Sequence, residues 1–202
     1  MWFRRSPPSP RNNGGVTRTL QTRFDIRPLS GDELGGRFLD QVLWVFSGAL
    51  GFPPRTGRVL NFGDTLRRHA GYGGFTAFGA FNLRARLVGF TYGYTSQPGL
   101  WWREQVAAPL TPAQRDFWFS DAFELAELHV HPTAQGHHVG SGLLDRLMGI
   151  QPHRTALLSV MHRSIRARQL YESRGWEYLV TELRFSTEPQ TPFSLMGLRS
   201  SP

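Results

Sequence analysis

Residues 124–149 read ELAELHVHPTAQGHHVGSGLLDRLMG, and the expectations for the whole chain grow from this stretch. Apolar and polar residues alternate up to Val130, the period of a half-buried strand. Strict alternation puts Glu124, Ala126, Leu128 and Val130 on one face and Leu125, Glu127 and His129 on the other. Pro132 ends the ladder because it has no N–H to donate. A glycine-rich turn, QGHHVGSG, follows, and then Val139, Leu143, Leu144 and Leu147 recur at the spacing of one helical face. A strand, a tight turn and a helix start together make a site for an anion. The first N–H groups of a helix have no intrahelical partner, and small residues let a phosphate come close to them.

Composition narrows the chemistry. The 202 residues suit one domain, and 40% of them are apolar, enough for a substantial core. Every one of the 23 basic residues is arginine and cysteine is absent, which excludes a lysine Schiff base, a cysteinyl acyl-enzyme, disulfides and thiolate metal sites. A net charge of +8 suits an anionic ligand. Arginines are dense in the first 20 residues and scattered afterwards, which argues against a nucleic-acid surface. No apolar run is long enough to span a membrane and the N-terminus lacks the apolar core of a signal peptide, so a cytoplasmic protein is expected.

Residues 1–20 are rich in proline, arginine, asparagine and glycine and are expected to form a disordered tail, with one domain over 21–202. Phe24 and Ile26 begin a strand. Ser30 and Glu33 form a capping box for a helix whose buried side is Leu34, Phe38, Val42 and Val45. A second short helix is expected from about Asp64. Residues 74–94 read as a hairpin turning at 82–85, with Gly89 and Gly93 either where a substrate or a neighbouring backbone comes near or at a bulge or twist of the strand. An insertion at 95–122 holds a helix capped by Thr111 and Pro112, and its Trp101, Trp102, Phe117 and Trp118 either pack it down or cover an acceptor pocket. Residues 155–160 suit a buried strand. A helix capped by Ser164 then runs to a left-handed Gly175, and two strands close the chain.

Two segments carry a family resemblance. Gln135, Gly136, Val139, Gly140, Ser141 and Gly142 resemble the Gln/Arg-x-x-Gly-x-Gly/Ala signature of the GCN5-related N-acetyltransferase superfamily, with His138 in place of the first motif glycine. Ala167, Leu170, Tyr171, Glu172, Gly175 and Trp176 resemble the superfamily's Asn-x-x-Ala-x-x-Leu-Tyr-Glu-x-x-Gly-Phe segment, with Ser164 in place of asparagine. The resemblance covers residues 23–199, with specific motifs only in the C-terminal half. It implies an α/β (α+β) fold: a mixed sheet of six or seven strands, splayed between the fourth and fifth and flanked by helices.

It also implies acetyl-CoA as acyl donor and transfer to an amine by direct attack in a ternary complex. Leu128, His129 and Val130 would polarise the thioester through their backbone. Gln135, Gly136, His137, His138, Val139, Gly140, Ser141 and Gly142 would hold the pyrophosphate, with Ser164 contributing from the later helix. Glu127 and Glu124 are the candidate bases, expected on opposite strand faces, and Tyr171 is the candidate acid for the leaving thiolate. His129 is a candidate proton relay. His129, His131, His137 and His138 are close in sequence, but no metal is expected. The acceptor is a small-molecule or peptide amine, and the protein a monomer or homodimer. The alternative is a catalytically impaired acyl-CoA-binding regulator, left open by His138 and Ser164.

Overall fold

The computed structural model describes residues 23–200, so the expected tail lies outside the described residues. Seven strands form one sheet in the order β1-β2-β3-β4-β5-β7-β6. They are β1 (Phe24–Leu29), β2 (Thr76–Asn82), β3 (Leu87–Thr95), β4 (Ala122–Val130), β5 (Thr155–Met161), β6 (Glu177–Leu183) and β7 (Phe193–Arg199). All neighbours pair antiparallel except β4 and β5. That parallel pair is registered only at Ala122, Phe123 and Glu124 against Thr155, Ala156 and Leu157, after which the strands part.

Among the described residues six α-helices cover the sheet. On one face lie α5 (Val139–Met148) and α6 (Ile165–Glu172), whose Leu143, Leu144, Leu147 and Tyr171 bury against Phe78, Phe123, Leu125, Leu158 and Met196. On the other, α1 (Leu39–Leu50) and α2 (Gly57–Ala70) cover β2 to β4, with Val42, Val45, Phe62 and Leu66 packed on Phe90, Tyr92 and Tyr94. The inserted α3 (Trp101–Ala107) and α4 (Pro112–Phe119) cover the C-terminal strands on that same side, around Leu157, Leu183 and Leu195. None of the described helices is long and apolar enough to cross a membrane.

The local signals explain most boundaries. Ser30 and Glu33 form the capping box, with Ser30 N donating to Glu33 Oε2 at 2.9 Å and Glu33 N to Ser30 Oγ at 3.1 Å. The chain then makes a π-helical turn at Glu33–Arg37 before α1 begins. Thr111 caps α4 in a second box, with Gln114. Gly175 takes φ +79° after α6, a conformation that an L side chain would strain. Two expectations need correction. The second helix starts at Gly57 rather than near Asp64, because Val59 already belongs to the apolar stripe of Phe62 and Leu66. Ser164 precedes α6 but makes no side-chain cap bond.

Candidate active site

The site is built around a bulge in β4. Tyr92 of β3 lies opposite Glu127, but the next residue, Gly93, lies opposite Leu125, so Ala126 is the extra residue. Gly93 permits this close passage, since a Cβ there would sit 2.2 Å from the Glu124 carbonyl and 2.5 Å from the Phe123 ring. The bulge resets the alternation. Phe123, Leu125, Leu128 and Val130 face α5 and α6, while Glu124, Glu127 and His129 all face α1 and α2. The expectation that the two glutamates take opposite faces is therefore wrong, since a bulge adds one residue to a two-residue period.

They differ instead in access. Glu127 lines the cleft opened by the parting of β4 and β5, and its Oε2 is 2.5 Å from Nε2 of His129. Glu124, placed where the strands still pair, is 2% exposed and does not line the cleft. Tyr94 donates its hydroxyl to Glu124 Oε1 at 2.5 Å, and Oε2 has no partner among the described residues. Burial, reinforced by the charge of Glu127 and opposed by the Tyr94 bond, pushes the Glu124 carboxyl up to about 8. Behind Glu127 lies His69, whose Nδ1 is 3.2 Å from the Tyr92 hydroxyl. Burial brings His69 down to about 4, with Glu127 raising it and Arg68 lowering it, so its imidazole is neutral at neutral pH.

The cleft, about 1310 Å³, passes from the α1 side to the start of α5. Strand residues present their N–H groups to alternate sides, and His131 N donates to Val88 O of β3. His129 N therefore also faces β3, while those of Leu128 and Val130 face the opening. After β4, Pro132–Ala134 make a single 3-10 turn, and Gln135 Nε2 donates to Val130 O at 3.0 Å, tying the loop to the strand end. His138 adopts φ +59° as the N-cap residue of α5, the left-handed conformation that glycine takes without strain. Its carbonyl accepts from Gly142 N and from Ser141 Oγ, both at 2.9 Å. The N–H groups of Val139, Gly140 and Ser141 precede the first intrahelical donor, Gly142 N, and have no partner among the described residues.

The motif residues divide into two sets. Leu128, His129, Val130, Gln135, Gly136, His138, Val139, Gly140 and Ser164 line the cleft. Three others turn elsewhere: the His137 ring tilts against Phe24 with centroids 5.9 Å apart, Ser141 Oγ donates to His138 O, and Gly142 lies against Ile26 of β1. A Cβ at Gly142 would come within 2.7 Å of Ile26, whereas one at Gly140 would meet nothing closer than 3.7 Å. On the facing wall Tyr171 is 7% exposed and its hydroxyl makes no hydrogen bond to a described residue. Burial holds that hydroxyl well above the usual phenol range, and the nearby charge of Glu127 adds to the shift.

Sequence reasoning missed several residues that belong here. Tyr92 and Tyr94 were legible as strand aromatics, but only the β3–β4 register puts them beside the glutamates. Arg163 and Arg166 line the α6 side of the cleft, and neither makes an ion pair among the described residues. The run HRSIRAR was the available signal. The clustered histidines disperse: His131 stacks on Trp44 at 3.5 Å and His129 lies among Phe46, Phe62 and Phe90. The insertion's aromatics pack on the C-terminal strands. Trp102 Nε1 donates to Ser159 Oγ at 3.0 Å, Trp101 lies 5.5 Å from Phe185, and neither they nor Phe117 and Trp118 line the cleft.

No family model matches the sequence. A GCN5-like protein acetyltransferase of Mycobacterium tuberculosis is 32% identical over 124 residues, a match that spans 56% of this chain and 58% of the relative. Among solved structures, a putative acetyltransferase of the GCN5-related family from Desulfovibrio desulfuricans superposes with a TM-score of 0.59 at 15% identity, over 87% of this chain and 98% of that one. A putative acetyltransferase from Salmonella typhimurium, solved with acetyl-CoA, gives 0.57 at 14% identity over 89% and 97%. The mixed seven-stranded sheet parted after its parallel pair is thus the fold of the GCN5-related N-acetyltransferases, the superfamily that this chain's two motifs resemble.

Proposed function

We propose that the chain is an acetyl-CoA-dependent N-acetyltransferase that passes the acyl group directly to an amine. One observation carries the reading: the cleft between β4 and β5 joins the unpartnered N–H groups at the start of α5 to the Glu127–His129 pair, with Tyr171 on the facing wall. The residues present fit such a donor. Val139, Gly140 and Ser141 offer backbone donors to a pyrophosphate, and Gly140 lines the cleft without a side chain to keep it away. Arg163 and Arg166 add positive charge on the opposite wall. Bound there, acetyl-CoA supplies an activated acyl group as a thioester.

The protein's part is to orient the reactants and to handle protons. The N–H groups of Leu128 and Val130 polarise an oxygen held in the opening, a form of stabilisation that costs no reorganisation. Glu127, oriented by His129, takes the proton of the acceptor amine directly or through one water. Glu124, kept protonated in its burial site, holds the β3–β4 edge with Tyr94 and does not act as the base. Tyr171 keeps its proton at neutral pH and donates it into the cleft. Calorimetric titration with acetyl-CoA, followed by a screen of amines with radiolabelled acetyl-CoA, tests the reading. Micromolar binding together with label on an amine is expected, whereas a folded protein without affinity for acetyl-CoA contradicts it. Binding without transfer to any amine points to the regulator instead, for which the left-handed His138 is the relevant departure.

A further inference from the structure

Where the cleft runs beneath α1 and α2, its wall is Phe46, Leu50 and Phe193 with the Glu127–His129 pair, and Arg58 and Glu188 stand at its rim. Arg58, in the first turn of α2, forms an ion pair with Glu188 from the segment between β6 and β7, 130 residues away in sequence. The two partners are not held alike. The Arg58 guanidinium also lies over the Phe52 ring, 4.7 Å from its centroid, and so is fixed from a second side. The Glu188 carboxylate has no other partner among the described residues. Around Glu188 its segment is stitched by local bonds, Glu188 N to Phe185 O, Thr191 N to Glu188 O and Arg184 Nη1 to Pro189 O, each 3.0 Å, and only its end is tied further off, where Pro192 O accepts from His162 N at 3.1 Å. The side chains are 50% and 30% exposed, so the pair is screened by water and exchanges at little cost. The carboxylate is the half that can leave.

We propose that Arg58 reads an anionic group on the acceptor, which is then an amine that also carries a carboxylate or a comparable anion, and that Glu188 is the internal stand-in it displaces. This rests on the acyl-transfer reading above. It divides the acceptor's two groups between two ends: Glu127 and His129 take the amine's proton at the floor, and Arg58 binds the anion at the rim. A guanidinium suits the second task, because its planar fork matches a carboxylate through two parallel hydrogen bonds. Glu127 repels an anion from the floor, so the orientation is set by charge as well as by shape. The net charge of +8 favours the approach of such acceptors over that of polycations.

The test compares KM and kcat for ω-amino acids of increasing length with those for matching alkylamines and α,ω-diamines, in the wild type, Arg58→Gln and Glu188→Gln. Calorimetry with acetyl-CoA verifies that each variant is folded. In the wild type, an amino acid of suitable length should exceed its alkylamine by about tenfold in kcat/KM, expressed in KM. Arg58→Gln should bring that amino acid down to the alkylamine level. Glu188→Gln should lower its KM by about two- to fivefold, since an internal competitor is removed, where a purely structural tether would give a rise. Preference for diamines, a raised KM in Glu188→Gln, or a carboxylate preference that survives Arg58→Gln overturns the assignment. Acetyl-CoA binding without transfer to any amine removes the acyl-transfer reading and this assignment with it, whereas alkylamine turnover without a carboxylate preference removes the assignment alone.

Discussion

At the residue scale, two buried acids carry different consequences. Tyr171 faces the cleft with a hydroxyl that burial keeps protonated. Tyr171→Phe retains the ring that packs on Trp176, so we predict a fall in kcat of about ten- to a thousandfold with little change in acetyl-CoA affinity, read from steady-state kinetics and calorimetry. Turnover within about twofold of wild type would make Tyr171 a packing residue. Glu124 is a stability matter. Its folded pKa of about 8 lies above the usual carboxylate value, so the folded state holds a proton that the unfolded chain has released. Stability from this group is fully present below the unfolded pKa and is lost as pH rises toward 8. Glu124→Gln should therefore gain on the wild type between about pH 5 and 8, by an amount on the order of a few kcal/mol at the upper end, in denaturant titrations across that range. Equal stabilities at both ends of the range would contradict the burial account. The sequence nominated both glutamates but could not rank them, because their difference in access comes from one bulged residue and from where the parallel pairing stops.

Among the elements, the turn into α5 separates two jobs that the motif runs together. Gly142 is small because β1 presses on it, and Gly140 borders open cleft. Gly142→Ala should lower thermal stability and spare acetyl-CoA affinity once folded, since only the flexible end of Ile26 has to move. Gly140→Val should do the reverse: the fold tolerates the side chain, while acetyl-CoA binding falls by tenfold or more, about 1.4 kcal/mol, when measured by calorimetry. Unchanged affinity in a folded Gly140→Val protein would take the loop out of the site. His138→Gly removes a side chain from a left-handed residue, relieving strain of about 1 kcal/mol, and should leave the melting temperature equal or higher. Periodicity made α5, β5 and the hairpin legible, and capping chemistry did the same for the helical turn that leads into α1 and for α4. The start of α2 was missed although Thr56, its N-cap, is a residue type suited to capping, because the glycine and arginine that follow favour no helix start, and the extent of the sheet's parting cannot be read from either strand alone.

For the whole molecule, two motifs in the C-terminal half implied the topology that the comparisons bear out, and composition excluded covalent lysine and cysteine chemistry. What composition could not place was the insertion. Its tryptophans suit packing and, less often, a lid, and the choice depends on which strands lie beneath them. The proposed acceptor end stayed hidden for a related reason, since Arg58 and Glu188 are 130 residues apart in sequence and meet only in the folded chain. In the function we propose, acetyl transfer passes directly from a donor held at α5 to an amine held at Glu127. Incubating the protein with radiolabelled acetyl-CoA, with and without an amino-acid acceptor, and following the label in protein and amine tests this most directly. Label is expected on the amine only when acceptor is present and on the protein at no time, and transfer should be lost in Glu127→Gln. Label accumulating on the protein without acceptor, or undiminished transfer by Glu127→Gln, would contradict it.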